Sequence, residues 1–174
     1  MDPIIEEGYA RLLETLEDLQ AKKEESASEI RGNMGALLAR MGTDTAPVVK
    51  QIGLEMLRRA KREASGELYD QEFYEKRMIV LGKGDPLPYR PDDPTKPVDA
   101  QICVLDEDGA FHELMYTNTD IRTDSYLAPL TPDEAFDIYS YELVFMLYRA
   151  LYEYAKMDEE LTAALARTLD YLGS

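Results

Sequence analysis

The sequence predicts an α+β, predominantly helical fold: four to five helices around a central apolar helix, with a small antiparallel β-hairpin or three-stranded sheet. Three observations predict it. Residues 131–156, TPDEAFDIYSYELVFMLYRALYEYAK, read as an apolar helix with a marked start. Residues up to about 64 are rich in helix formers, and an Asp-Gly turn separates two β-rich runs between residues 98 and 117. With 174 residues, the chain suits a single domain, 1–174. It divides into a helical half at 1–65, a strand and loop insert at 66–130, and core and C-terminal helices at 131–172.

The central helix carries the prediction. Thr131 is its expected N-cap, Pro132 fills the first helical position, and Glu134 closes a capping box. From Ile138 to Ala155 the charges are Glu142, Arg149 and Glu153, which fall on one strip at about 100° per residue. A helix that is apolar over the rest of its circumference is expected to be buried. Beside the charged strip, Tyr141, Phe145, Tyr148 and Tyr152 form an aromatic stripe at i, i+4, i+7 and i+11. Such a stripe serves either as core or as an interface, because tyrosine suits a surface that is apolar at one end and wet at the other.

Taken in order, Asp2-Pro3 marks a first helix that runs to about Arg31 and stops at Gly32. Ile5, Tyr9, Leu12, Leu16 and Leu19 follow a 4-3-4-3 spacing, widened by Leu13 and interrupted at Lys23 and Ser26 before Ile30 resumes it. The stripe is short for a coiled coil; it serves packing on the domain or self-association. Gly32 to Gly42 reads as a short apolar helical segment between glycines. A third helix is expected from Pro47 to about Ala64, with Gly53 at a close helix crossing and Arg58, Arg59, Lys61 and Arg62 as cations at its C-terminal end. The segment from Gly66 is ambiguous, with a short helix from Asp70 as one reading. Met78–Leu81 reads as a buried strand.

Five prolines between Pro86 and Pro97 exclude a helix or a central strand from the connector Gly82–Pro97. Long connectors of this kind are often functional, which makes Tyr89 and Arg90 candidate contact residues. Val98–Leu105 and Ala110–Thr117 form the predicted hairpin around Asp108-Gly109. After Lys156 an apolar stripe continues through Leu161, Leu165, Leu169 and Leu172 in phase with Leu147, Leu151 and Tyr154. Both one continuous helix and a break at Met157-Asp158 fit; a rod of roughly 60 Å would outrun a domain this size, which favours the break.

The chemistry is sparse. Cys103 and His112, one of each type in the chain, both lie in the hairpin. They are the weak candidates for a thiol–imidazole pair, and they meet or not according to the hairpin register. A four-residue loop sets Cys103 opposite His112. A three-residue loop with Gly109 left-handed sends them to opposite faces, and a two-residue loop leaves them diagonal. One Cys and one His cannot supply a zinc site. Asp85, Asp92, Asp93, Asp99, Asp120 and Asp124 could bind a hard cation by type, but no spacing selects a set, so neither metal nor cofactor is expected. Residues 106–109, DEDG, miss the EF-hand pattern, and no phosphate loop or nucleophile elbow occurs.

A net charge of −16 repels nucleic acid and anionic membranes and admits a basic partner. No apolar run approaches the roughly 18 residues of a membrane span, and the acidic N-terminus is unlike a secretory signal. A lone cysteine fits a cytoplasmic, reducing setting. The leading expectation is a non-enzymatic interaction module, homo-oligomeric or bound to a basic partner. The alternative is a small-molecule enzyme or binding protein with a pocket between the hairpin and the central helix. The contact or ligand candidates are Tyr89, Arg90, Tyr141, Glu142, Tyr148, Arg149 and Tyr152.

Overall fold

In a computed structural model, which describes residues 3–172 with side chains from Ile5 onward, the chain is organised around a β-barrel. A long helix α1 (Pro3–Ile52) leads into β1 (Leu54–Arg62) and β2 (Leu68–Lys83). A two-stranded ribbon of β3 (Tyr89–Arg90) and β4 (Asp93–Pro97) interrupts the meander. It resumes with β5 (Ala100–Asp106), β6 (Phe111–Asn118) and β7 (Arg122–Leu130), and two helices follow, α2 (Pro132–Tyr139) and α3 (Glu142–Leu172). Strands β1-β2-β5-β6-β7 form a closed antiparallel barrel in which β7 pairs back onto β1. This corrects the expected helix-dominated α+β fold with a small hairpin. The expected N-cap Asp2 lies outside the described residues.

The boundaries expected at Gly32, Gly42 and Pro47 do not interrupt the first helix; Gly32 faces open space, whereas Gly35 and Gly42 are contact points. Helix α1 passes through Gly32, Gly35, Gly42 and Pro47 without ending. A Cβ at Gly35 would sit on the Asp133 carboxylate, and one at Gly42 would lie 2.4 Å from the Gly109 carbonyl oxygen. Those glycines let α1 lie against the start of α2 and the β5–β6 turn. The buried positions of α1 are accordingly Gly35, Leu38, Gly42, Thr45 and Val49, a 3-4-3-4 stripe.

The expected third helix ends at Ile52. At Gly53 the N–H still donates to Val49 O at 2.8 Å, and a Cβ would meet that oxygen at 2.6 Å and Met78 N at 3.0 Å. Beyond it, LEMLRRAKR is strand despite its helix-forming residues, because it pairs with β2 along one edge and β7 along the other. Helix propensities differ by less than about 1 kcal/mol per residue, and tertiary pairing overrides them. The segment from Asp70 is likewise part of β2, and of the expected buried strand Met78–Leu81 only Met78 and Leu81 are buried, Val80 being exposed.

The helix expected over 131–156 is two helices. Thr131 and Glu134 form the capping box of α2, but α2 ends at Ser140, whose φ is 53° and whose N–H donates to Phe136 O at 2.7 Å. Helix α3 then runs unbroken through Met157-Asp158. Nor is it the buried centre. Leu143 and Leu147 are fully buried, whereas Phe145, Tyr148 and Tyr152 are exposed.

The core has two layers on either side of the barrel wall. Inside are Met78, Val104 and Leu114, with Met56, Ile102 and Leu127 against them. Outside, Cys103, Leu105 and Phe111 are covered by Leu38 of α1, Ala135 and Tyr139 of α2, and Leu143 and Leu147 of α3. The Pro-rich connector covers β6 and β7. Thr117 Oγ1 donates to Pro97 O at 2.6 Å, and buried Arg90 pairs with Asp92 and Asp124.

Candidate functional site

The hairpin decides the fate of the thiol–imidazole pair. Asp106 and Ala110 pair across a three-residue turn, with Gly109 at φ 82°, and Val104 lies opposite His112. Paired residues share a face, so Cys103 lies with Glu113 outside the barrel and His112 lies with Val104 inside. The barrel wall separates them. Burial first, and Glu113 second, push the Cys103 thiol up to about 12, far from the range of a reactive thiolate.

Beside Cys103 lies a buried polar cluster. Tyr139 donates to Glu113 Oε1 at 2.8 Å, Gln101 Nε2 donates to Glu113 Oε2 at 2.6 Å, and Leu87 N donates to Gln101 Oε1 at 2.9 Å. Burial and the Glu113 contact raise the Tyr139 pKa well above the usual phenol range. The cluster ties α2 and the Pro-rich connector to the sheet, and it fills the space between the hairpin and the C-terminal helices.

On the inner face, Asp106 is fully buried and organises the end of the barrel. Its Oδ1 accepts from Asp108 N and Ala110 N, both at 2.9 Å. Its Oδ2 lies 2.9 Å from His112 Nε2 and 3.2 Å from Lys76 Nζ. Burial opposes ionisation, but these four contacts outweigh it and hold the carboxyl below its usual value. His112 Nδ1 is buried without a hydrogen-bond partner. The closure of the barrel explains why there is space here. Strands β1 and β7 pair only over Arg59–Lys61 and Arg122–Asp124. Past that point Ser125 Oγ bridges the gap, 2.8 Å from Leu57 O and 3.0 Å from Arg58 O. A cavity of about 360 Å³ opens beyond it, lined among others by Arg58, Tyr74, Lys76, Asp106 and His112.

The other sequence candidates are scattered. Arg90 is 5% exposed and spent internally on Asp92 and Asp124, while Tyr89 is exposed. Tyr141 packs edge-on against Phe136, and Tyr148 stacks on Tyr152 at 6.2 Å. Glu142 and Arg149 pair at 3.6 Å on the exposed surface. Of the candidate residues, Glu142, Tyr148, Arg149 and Tyr152 are therefore exposed on α3, and Tyr141 is exposed in the turn that precedes it. Of the basic residues of β1, Arg59 pairs with Glu72 and Lys61 with Asp70 of β2, while Arg62 donates to Asn118 and Thr123. Among the described residues no three His, Cys, Asp or Glu side chains converge as a metal site would, and no helix is long and apolar enough to cross a membrane.

The largest surface feature is the pair of helical arms. Every described position of α1 from Ile5 to Asn33 is exposed, and so is every position of α3 from Tyr152 to Leu172. Both segments nevertheless keep an apolar stripe. On α1 it is Ile5, Tyr9, Leu12, Leu16 and Leu19 with Leu13 beside them, each between 44% and 62% exposed. On α3 it is Tyr154, Leu161, Leu165 and Leu172 with Leu169 beside them. These stripes were legible in the spacing; their lack of a partner within the chain was not. Searches against family models, curated proteins and solved structures each find no match to this chain.

Proposed function

We propose that this protein is a non-enzymatic assembly module, a barrel hub whose two helical arms associate with further copies of the chain. The observation that carries this reading is the exposed apolar seam on each arm. Single exposed leucines are ordinary, but a contiguous apolar stripe along an otherwise solvated helix marks an interaction surface. The flanks of the seams support it. Beside the α1 seam stand Gly8, Leu13, Thr15, Gln20 and Ala27 together with the charged Glu6, Lys22 and Glu29, and most of that arm's charges lie on its far side. Beside the α3 seam stand Ala155, Met157, Thr162, Ala164, Leu169 and Tyr171, none charged.

Area supports it too. Six α1 side chains at roughly half exposure offer about 100 Å² apiece, or roughly 600 Å². That approaches the ~800 Å² per partner of a standard interface before the flanking residues are counted. Asp158 within the α3 seam, and Glu153, Glu159 and Glu160 on the same turns of the helix, favour a basic partner as an alternative occupant of that arm. A cytoplasmic location is part of the reading and rests on the lone, buried cysteine. Sedimentation velocity of the full chain is expected to show a species heavier than the 19.8 kDa monomer at micromolar concentration. A monomer at every concentration would remove the reading.

A second reading, small-molecule binding, is favoured by the unpartnered His112 Nδ1 at the edge of the barrel cavity. It predicts ligands whose thermal stabilisation of the protein disappears in Arg58→Ala.

A further inference from the structure

The pattern of α1 bears on the geometry of the proposed association, and we infer that two copies pair through their α1 arms in antiparallel orientation, about a two-fold axis near Glu14. The inference rests on the assembly reading above and names its partner and geometry. It starts from the heptad positions. Ile5, Leu12, Leu19 and Ser26 occupy one seam position (d), and Tyr9, Leu16, Lys23 and Ile30 the other (a). Two residues do not fit a simple two-stranded parallel seam. One is Lys23, a cation inside the seam. The other is Leu13, an apolar side chain on the flank that follows d (position e).

In a parallel, in-register pair, a residues meet their own copies and e residues meet the opposite flank (position g) five residues earlier. Lys23 would then face the partner's Lys23, a like-charge contact, and Leu13 would face the partner's Gly8, which has no side chain to pack against it. In an antiparallel pair, a meets d and e meets e. The register that sets Tyr9 against Leu19 also sets Leu12 against Leu16 and Ile5 against Lys23. Each of the five main apolar seam residues is then covered by the partner over residues 5–23, a segment about 28 Å long at 1.5 Å per residue.

Both misfits are resolved in this register. Leu13 meets the partner's Leu13 across the two-fold axis. Lys23, at the end of the overlap on the same side as the e positions, comes beside the partner's Glu6. The symmetry supplies that ion pair twice, once at each end. The same two-fold makes the contact isologous, so it closes as a dimer instead of growing into a filament. The α3 arms remain free for the other contacts of the assembly reading.

The arrangement is tested by distance measurements between nitroxide labels on the full chain, placed singly at Glu7→Cys, Glu14→Cys and Ala21→Cys. All three positions lie on the outward face of the arm, and the native Cys103 is fully buried and does not label. Antiparallel pairing about Glu14 predicts the shortest inter-copy distance at 14. The distances at 7 and 21 should be longer and similar to each other, since both are offset along the axis by about 21 Å. A flat profile across the three sites would overturn the orientation while leaving association intact. An oligomer by sedimentation with no measurable dipolar coupling at any site would move the contact off α1. A monomer would sink the underlying reading itself. Charge exchange gives an independent check. Lys23→Glu is expected to weaken the dimer by a factor of roughly 2–5, and Glu6→Lys in the same chain to restore it, as expected for an exposed ion pair formed twice. Failure of Glu6→Lys to restore association would contradict the antiparallel register.

Discussion

Leu147 and Leu161 are the same residue type on the same stripe of the same helix, two heptads apart. Leu147 is fully buried and Leu161 is 57% exposed. The first two turns of α3 lie on the barrel with Leu38 and Phe111, and the rest of the helix leaves it with its pattern unchanged. Helix α1 does the same in reverse, solvated through its first half and docked from Gly35 onward. The difference teaches that amphipathic spacing records which face of a helix needs covering and is silent on whether the cover belongs to the same chain. In the barrel the chain covers itself; on the arms the pattern asks for something else.

The contrast can be broken experimentally, beginning with the largest expected effect. Arg90 belongs to the self-covered region; its side chain is 4% exposed between Asp92 and Asp124 and lies over the Tyr126 ring. Arg90→Ala removes one partner of a buried ionic cluster and should cost about 3–5 kcal/mol in urea unfolding. Lys96, which also contacts Asp124, should hold the loss toward the lower end. Next is the leucine pair. Leu147→Ala is expected to destabilise by about 2–5 kcal/mol through loss of buried contacts and the cavity left behind. Leu161→Ala, measured where the protein is monomeric, should stay within about 0.5 kcal/mol. Equal losses at the two sites would show that the α3 arm is covered within one chain after all.

The smallest effect is electrostatic and sharpens the picture of the barrel end. Asp106 and Asp124 both have folded-state pKa values lowered from 3.8. In each case burial acts in the opposite direction and is outweighed by hydrogen bonds and cations. A lowered folded-state value means that each carboxylate stabilises the fold above its unfolded pKa, and that this contribution fades as the pH falls through the folded value. Stability should therefore decline on acidification below about pH 4. Asp106→Asn should be less stable at neutral pH and show a shallower acid decline than the native chain. A steeper decline would contradict the assignment.

What could be read from the sequence was local. The capping box of Thr131 and Glu134 and the Asp108-Gly109 turn depend on residues within four positions of one another, and both are present as expected. What could not be read was set by partners far along the chain. Strand β1 has helix-forming residues and a plausible helical stripe through Val49, Ile52, Met56 and Ala60; only its pairing with β2 and β7 makes it a strand. Gly42 closes the short helical segment expected from Gly32, yet Gly35 and Gly42 are where Asp133 and Gly109 lie against α1, 98 and 67 residues further along the chain. Both are too far for any local pattern to reveal.

 The aromatic stripe of α3 was visible in its spacing, but the turn at Ser140 that leaves it facing outward was not, because a positive φ at serine has no sequence signature of its own.

The central claim is that the arms are seams between chains, and a concentration series by sedimentation velocity on the native protein and on Leu16→Glu tests it most directly. The account predicts a native species heavier than 19.8 kDa that dissociates on dilution. In Leu16→Glu, which puts a charge at the middle of the α1 seam, the association through that arm should be lost while thermal unfolding of the barrel is unchanged. A native protein that remains monomeric throughout, or a Leu16→Glu variant that associates as the native chain does, would contradict it.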